Sequence, residues 1–195
     1  MVENQSTDKR KVAWGITGSG DKLEETIEVM KGIMRKYQEK MDVRIYLSKA
    51  GVKVLKYYGL IDDLEKNFGK LHVEKDSNTP FLAGALQMRK FEFLLIAPAT
   101  SNTVAKVSLG IADSLLSNST IMALKASVPV YVMPSDCREG IATTKLPDGQ
   151  HLALAIRKED KYNTKKLSCI DGVFILEKPE DLCQIFIKYF GSQED

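Results

Sequence analysis

The sequence has 195 residues, of which 44% are hydrophobic, and this content favours a single domain with one well-filled core. Its 28 Lys and Arg residues nearly balance its 26 Asp and Glu residues and are interspersed with them, so the basic stripe typical of nucleic-acid binding is missing. The N-terminal residues lack an apolar signal core, and no later apolar run approaches the roughly 20 residues that span a bilayer. These features predict a cytoplasmic protein without a membrane or nucleic-acid partner.

The cysteines and histidines of the chain do not indicate a metal site. Cys137, Cys169 and Cys183 are widely spaced, without a C-x-x-C pair, and only two histidines occur, so neither zinc nor an iron–sulfur cluster is predicted. An odd, sparse set of cysteines fits a reducing compartment. Cys137 follows a predicted strand and is either a reactive thiol or a chance cysteine.

The beginning of the chain alternates between strand-like and helix-like segments. Residues 1–10 are polar and predict a disordered leader before a single domain over residues 11–195. Residues 12–16 predict a buried strand, and a glycine turn over residues 17–20 follows it directly. Apolar residues then recur at helical spacing, which predicts a helix with one face on a sheet; they are Leu23, Ile27, Met30, Met34 and Tyr37.

A second strand and a second helix follow, and the order is that of a parallel α/β sheet. The strand is predicted over residues 43–47 and ends at Ser48, and the helix starts at residue 49. Residues 62–80 are rich in charged and turn-forming residues and predict a long surface connection, in which His72 is expected to be solvated.

The rest of the chain predicts further strands and helices. A helix that ends at Gly110 should bury Val104, Val107 and Ile111, and Asp113 is expected to cap the next helix. The remaining predicted elements are a short helix over residues 81–88, strands over 92–97 and 128–133, a helix over 114–125, a turn over 146–149, strands over 151–157 and 173–176, and a final helix from Pro179.

Small or polar residues follow each of the first four predicted strands. In open parallel sheets ligands bind at the carboxyl ends of the strands, so residues 17–20, Ser48, 98–103 and 133–136 should converge. Residues 98–103 offer carbonyl, hydroxyl and amide groups with little side-chain bulk, which suits a cofactor site. The alternative is a plain loop before an N-capped helix, because residues 100–103 are all of capping types.

The turn over residues 17–20 is a candidate phosphate site. Backbone N–H groups, two hydroxyls and the N-terminus of a helix meet there, which suits a phosphate monoester. The turn is neither a G-x-G-x-x-G fingerprint nor a P-loop, since Lys22 is in the wrong place, so a dinucleotide or a nucleoside triphosphate is the weaker hypothesis. A tight turn without a ligand is the alternative.

Three segments together resemble the homo-oligomeric flavin-containing cysteine decarboxylase family. Residues 15–19 read GITGS, residues 97–103 read APATSNT and residues 110–116 read GIADSLL, and the resemblance covers roughly residues 11–134. It implies a Rossmann-like, flavodoxin-like α/β fold, a three-layer sandwich with a parallel sheet. It also implies FMN as cofactor and assembly into trimers or multiples of trimers, with FMN between neighbouring subunits.

The same resemblance implies the residues that contact FMN. The first turn would hold the phosphate, while Ser48 and the loop after the third predicted strand would line the flavin. The cofactor-binding residues implied in this way are Thr17, Gly18, Ser19, Gly20, Ser48, Pro98, Ala99, Thr100, Asn102 and Thr103.

Catalytic features of two branches of that family are absent here. The essential histidine of the decarboxylases would fall near Gly84, where residues 81–86 contain none, and their Pro-x-Met-Asn motif is replaced by residues 133–138. The prenyl-transferring relatives have a lysine in place of Asn102 and an arginine near Asn118. Asn102 is therefore assigned to positioning the flavin, and no catalytic side chain is assigned.

The remaining resemblance is to the archaeal flavoprotein branch, which includes ferredoxin-linked flavoproteins and dihydromethanopterin reductases. Residues 146–149, Arg157, Asp160 and Asn163 resemble the C-terminal pattern of that branch. This implies an FMN-dependent oxidoreductase that passes electrons from a ferredoxin-like donor to an acceptor such as dihydromethanopterin, with solvent, Asp136 or Asp160 as proton source. The alternatives are a decarboxylase of the phosphopantothenoylcysteine type, a prenyltransferase relative, and a non-redox module that binds a phosphorylated ligand.

Overall fold

The computed structural model describes residues 9–136 and 140–191. Most of the predicted leader over residues 1–10 lies outside the described residues, as does Cys137, and the first strand already begins at Arg10. Cys169 and Cys183 are both exposed free thiols.

The described residues form eight strands and eight helices. The strands are β1 (Arg10–Ile16), β2 (Met41–Leu47), β3 (Leu71–Val73), β4 (Leu94–Ala99), β5 (Val130–Pro134), β6 (Ile141–Lys145), β7 (His151–Ala155) and β8 (Val173–Ile175). The helices are α1 (Leu23–Tyr37), α2 (Lys49–Tyr57), α3 (Ile61–Phe68), α4 (Leu82–Gln87), α5 (Ser101–Ser108), α6 (Leu115–Lys125), α7 (Lys158–Ser168) and α8 (Asp181–Phe190). In this part of the chain no helix combines the length and the apolar character needed to cross a membrane.

Six of the strands form one parallel sheet in the order β3-β2-β1-β4-β5-β8. Strand β4 is buried along its whole length, and its residues alternate between two apolar layers. Leu95 and Ala97 face one layer, whereas Leu94 and Ile96 face the other. A strand that is covered on both faces is apolar throughout, as expected for the centre of a parallel sheet.

Each face of the sheet is covered by its own set of helices. Helices α1, α2, α3 and α8 contribute buried side chains to one core cluster, and α4, α5, α6 and α7 to the other. Trp14 of β1 is fully buried in the first cluster, and its Nε1 donates to the Ala97 carbonyl at 2.8 Å. This confirms the predicted flavodoxin-like three-layer α/β sandwich.

The segment predicted to be a long surface connection over residues 62–80 is mostly regular structure, so that prediction is wrong. It contains α3 and β3, and β3 extends the sheet beside β2. His72 of β3 is half-buried rather than solvated, because its ring stacks on Tyr46 with 4.9 Å between ring centroids. Burial lowers the pKa of this imidazole.

Two other boundaries also differ from the sequence-based expectation. Ser114, and not Asp113, is the N-cap of α6, since its side chain accepts from the Ser117 backbone N–H. The Asp113 carboxylate instead pairs with the Lys106 ammonium at 2.9 Å. Ile111 lies beyond the end of α5 and is 42% exposed, so it is not part of that helix's buried face.

The last third of the chain departs from the parallel pattern. Strands β6 and β7 pair antiparallel across the predicted turn and form a separate hairpin. Helix α7 has no apolar stripe, because its buried residues are only Asp160 and Leu167, and the sequence pattern gave no sign of it. Its N-terminus is held by Asp160, which accepts from the Arg157 backbone N–H and guanidinium.

Candidate functional site

The strand order places a crevice between β1 and β4. The chain moves from β1 to β2 and β3 on one side, and then returns to place β4 on the other side of β1. At such a reversal the loops at the carboxyl ends of the strands diverge and leave room for a ligand. The segments after β1, β4 and β5 meet here, as the sequence predicts, through hydrogen bonds between their residues.

Thr17 connects the turn after β1 to the end of β4. Its hydroxyl donates to the Pro98 carbonyl at 2.9 Å and accepts from the Thr100 backbone N–H at 2.8 Å. Its own backbone N–H also donates to the Pro98 carbonyl. Thr17 is buried, so it fixes the geometry of the two segments and does not line the open space beside them.

Ser19 lies against Ser135 from the end of β5. The Ser135 hydroxyl is 2.7 Å from Ser19 Oγ and 3.1 Å from the Ala99 carbonyl, and its single hydrogen can serve only one of them at a time. The Ser135 backbone N–H donates to the same Ala99 carbonyl at 2.9 Å. Two hydroxyls therefore stand side by side at the mouth of the turn.

The glycine turn is shaped by the close approach of α2. A Cβ on Gly18 would come within 2.6 Å of the Ala50 Cβ, and one on Gly20 within 2.4 Å of the Tyr58 hydroxyl. Within the described part of the chain, the backbone N–H groups of Gly18, Ser19 and Gly20 have no acceptor. A turn with three unpaired N–H groups beside two hydroxyls is suited to an anion.

Helix α5 presents its N-terminus to the same crevice. Thr100 is the N-cap, and its hydroxyl accepts from the Thr103 backbone N–H at 3.3 Å and lies 3.1 Å from the Thr103 hydroxyl. The backbone N–H groups of Ser101 and Asn102 find no acceptor among the described residues. Asn102 itself is exposed in the first turn of the helix. The capped-helix alternative is thus correct for Thr100, and it leaves donors available for a ligand.

The loop predicted to start at Pro98 begins later, at Thr100. Strand β4 continues through Pro98 and Ala99, which are both buried, and the Ala97–Pro98 peptide is cis. Their carbonyls hold the neighbouring segments of the crevice in place, since the Pro98 carbonyl accepts from Thr17 and the Ala99 carbonyl accepts from Ser135. Pairing with β5 resumes at Ala99 after a shift in register, a feature that local sequence does not reveal.

Ser48 lies between the end of β2 and the start of α2. Its Oγ accepts from the Gly51 backbone N–H at 2.9 Å, and its backbone N–H donates to the Ile16 carbonyl. The side chain is therefore occupied as an N-cap, and it does not line the recess beside Gly18.

A recess of about 320 Å³ opens beside the turn. Four of the ten residues implied by the family resemblance line it, namely Gly18, Ser19, Gly20 and Thr100. The other walls were not assigned from the sequence. They are formed by the end of α2 and by one face of the hairpin β6–β7, with the side chains of Val54, Tyr57, Tyr58, Ala142, Thr144, Leu146, Leu152 and Leu154.

The two hairpin strands present alternate residues to the recess, which is the one sequence signal that could have identified this wall. Ala142 pairs with Leu154 and Thr144 pairs with Leu152, so these four share one face of the hairpin. The Tyr58 hydroxyl donates to the Lys145 carbonyl at 3.0 Å and ties the hairpin to the end of α2.

Two carboxyl groups, Asp21 and Asp136, also line the recess. Burial is the main cause that raises the pKa of Asp21, and the Asp136 charge raises it further, while nearby Lys22 lowers it. Asp160, the other acid considered as a proton source, does not line the recess, and its pKa is lowered because Arg157 bonds to its carboxylate. Of the two acids named from the sequence, Asp136 is therefore the better placed.

The comparisons with known proteins agree on one family. The family model described as Flavoprotein matches residues 1–140. An uncharacterized protein of Methanocaldococcus jannaschii is 47% identical over 179 residues, which are 92% of this chain and 95% of that protein. A dihydromethanopterin reductase (acceptor) of the same organism is 29% identical, with 90% of this chain and 95% of that protein covered.

A solved structure gives the same result. The crystal structure of Burkholderia xenovorans DmrB in complex with FMN, described as a cubic protein cage for redox transfer, is 29% identical and has a TM-score of 0.77. The match covers 93% of this chain and 96% of DmrB. These findings confirm the family and the dihydromethanopterin reductase-like branch that the sequence motifs indicated. The chain belongs to the Flavoprotein family.

Proposed function

We propose that this protein is an FMN-dependent oxidoreductase that takes electrons from a low-potential donor and passes them to an acceptor of the dihydromethanopterin class. The observation that carries the proposal is the group of unpaired donors at the switch point of the sheet, which fits a phosphate beside a recess. The similarity to a dihydromethanopterin reductase and to DmrB, crystallised with FMN as a redox cage, supports the same chemistry.

The residues of the turn fit the FMN phosphate. The backbone N–H groups of Gly18, Ser19 and Gly20 and the Ser19 hydroxyl would hold it, and the lack of a Cβ on the two glycines lets Ala50 and Tyr58 pack close to the turn. The donors at the N-terminus of α5, with Thr100, Asn102 and Thr103, would hold the rest of the cofactor. When bound, FMN supplies the electron-transfer chemistry, and the chain supplies its anchoring and the access of partners.

The decarboxylase alternative is disfavoured by the surroundings of α4. The position near Gly84, where those enzymes carry a histidine, lies beneath the Phe81 ring, and a Cβ on Gly84 would come within 1.9 Å of it. Helix α4 contains no ionisable side chain. A proton relay of the decarboxylase kind therefore has no group to act through here.

We also propose that the protein is a cytoplasmic homo-oligomer, a trimer or a multiple of trimers. The description of DmrB as a cage supports this, and so do large apolar side chains that a lone subunit leaves exposed. Phe81 is 68% exposed, Leu109 57% and Met88 52%. Light scattering should give a mass that is a multiple of three subunits of 21.8 kDa; a monomer in solution would overturn this part of the proposal.

The test of the proposed function is anaerobic and has two steps. Protein loaded with FMN should show a flavin absorbance spectrum that is bleached by a reduced ferredoxin, and adding dihydromethanopterin should then restore it. Restoration identifies a reductase, whereas reduction without restoration identifies a carrier for another acceptor. A preparation that shows no flavin spectrum even after FMN is added would refute the proposal and favour a non-redox phosphate-binding module.

A further inference from the structure

A row of three lysines runs along the exposed side of α2. Lys49, Lys53 and Lys56 are all exposed, and their spacing places them within about 60° of one another around the helix axis. The nine residues of α2 contain no acidic side chain. Within the described part of the chain, no ion pair engages these three ammonium groups.

The lysine row lies beside the recess, on the same helix. Val54, Tyr57 and Tyr58 of the same stretch line the recess. Around the helix axis, Tyr57 lies between the lysine row on one side and Val54 and Tyr58 on the other. Tyr57 is 59% exposed. A molecule that rests on the row would therefore cover Tyr57 and reach the mouth of the recess.

Helix α2 carries three lysines and no acidic residue, whereas the four lysines of α7 are accompanied by Glu159 and Asp160. The whole sequence carries a formal net charge of only +2, yet α2 concentrates three positive charges on one face. The positive charge of Lys49 is partly offset by two nearby carboxylates. Glu74 accepts from the Lys49 backbone N–H, and the Lys49 charge also acts on Asp76. Lys53 and Lys56, which are further from those acids along the helix, are the stronger part of the row.

We infer that Lys53, Lys56 and Tyr57 form the docking surface for the protein that reduces the flavin, and that this partner is an acidic one-electron carrier. The inference rests on the proposed function. Each reduced carrier gives one electron and leaves oxidised, so two encounters, with two protons from solvent, complete the two-electron reduction of FMN. A basic surface beside the recess would steer such a partner to the rim and raise its rate of association.

The experiment measures how fast a reduced acidic ferredoxin reduces the FMN-loaded protein in a stopped-flow instrument at low ionic strength. The test variant is Lys53→Glu with Lys56→Glu. The matched control is Lys165→Glu with Lys166→Glu on α7, which makes the same change of net charge on exposed lysines of a helix that does not line the recess. Photoreduction of the bound flavin by a deazaflavin checks that both variants carry a reducible cofactor.

Ferredoxin should reduce the flavin of the α2 variant at least about 10-fold more slowly than that of the wild type, and this rate should depend less on salt. The rate for the control variant should stay within about 2-fold of the wild type. Equal rates in the two variants would overturn the inference. So would a change of oligomer mass in the α2 variant, which would make the row a subunit contact, or a loss confined to reoxidation by dihydromethanopterin. Failure of the wild type to bind FMN, or to be reduced by ferredoxin, would instead refute the proposed function.

Discussion

Ser19 contributes both a hydroxyl and a backbone N–H to the candidate phosphate site. Its hydroxyl lies against Ser135 and accepts from the Asp21 backbone N–H at 3.2 Å, while its own N–H stays unpaired within the described residues. Because a phosphate would occupy the space in front of these donors, a negative side chain at this position would repel it.

Replacing Ser19 by glutamate should therefore weaken FMN binding at least 10-fold, since two like charges about 4 Å apart repel by roughly 1–4 kcal/mol near a protein surface. Fluorescence titration with FMN measures the effect. Ser168→Glu, at an exposed serine of α7, is the matched control and should bind FMN like the wild type. If the two variants bind FMN equally well, the anchor lies elsewhere.

Asp21, which lines the recess, makes the stability of the fold depend on pH. The pKa of Asp21 is raised above its ordinary value of 3.8, mainly by burial, so the folded protein holds this proton more tightly than the unfolded chain does. The stabilisation is complete below pH 3.8 and is lost as the pH rises from there through the raised pKa. Above that raised pKa the ionised carboxyl lies beside a site proposed for a phosphate.

Asp21→Asn should consequently lose less stability than the wild type as the pH rises above 4, because it has no carboxyl to ionise. At a pH above the raised pKa it should also bind FMN about 3-fold or more tightly than the wild type, since a nearby negative charge is removed. Urea unfolding across pH and FMN titration are the measurements. Asp171→Asn, an exposed carboxyl beside β8, should change neither; weaker FMN binding by the Asp21 variant would contradict this account.

At the scale of secondary-structure elements, Glu74 holds two helix ends together. One carboxylate oxygen accepts from the Lys49 backbone N–H at 3.0 Å, and the other accepts from the Leu115 backbone N–H at 2.8 Å. The same residue donates its own N–H to the Leu47 carbonyl at the end of β2. A single carboxylate thus meets the positive ends of α2 and α6, one of which borders the recess.

Glu74→Ala should lower the free energy of unfolding by about 1–3 kcal/mol, because two helix N-termini lose a charged acceptor. Urea denaturation followed by circular dichroism measures this loss. Glu65→Ala, at an exposed glutamate of α3, should stay within about 0.5 kcal/mol of the wild type. Similar losses in both variants would show that the two contacts of Glu74 contribute little.

Elements with a strong apolar period could be predicted from the sequence, and those without one could not. The residues of α1 repeat at helical spacing, and the predicted stripe is buried in the core except for Met34, which is partly buried against it. Helix α3 is fully buried only at Leu64, β3 has three residues, and α7 buries a carboxylate, so none of them offers enough local pattern. Helix α3 and strand β3 form against β2. Helix α7 packs on α5, and the Arg157–Asp160 pair holds its N-terminus.

For the whole molecule, FMN should act as a stabilising ligand. A ligand that binds only the folded state at 100 times its dissociation constant adds about 2.7 kcal/mol. For a chain of this size that corresponds to a rise of roughly 5–10 °C in Tm. Differential scanning calorimetry with FMN and with riboflavin, which lacks the phosphate, should show a much smaller shift for riboflavin; equal shifts would mean that the turn does not hold the phosphate.

The sequence by itself determined the parallel α/β class, most of the strands and the polar segments that follow them, because burial and turn formation are written in short windows of residues. Only the tertiary structure decided which of those segments form the site. The contact between Ser19 and Ser135, the packing of Ala50 against Gly18 and the hairpin wall join residues that are far apart in the chain. Their distances depend on strand order, register and helix packing across the whole sheet, which no local pattern encodes.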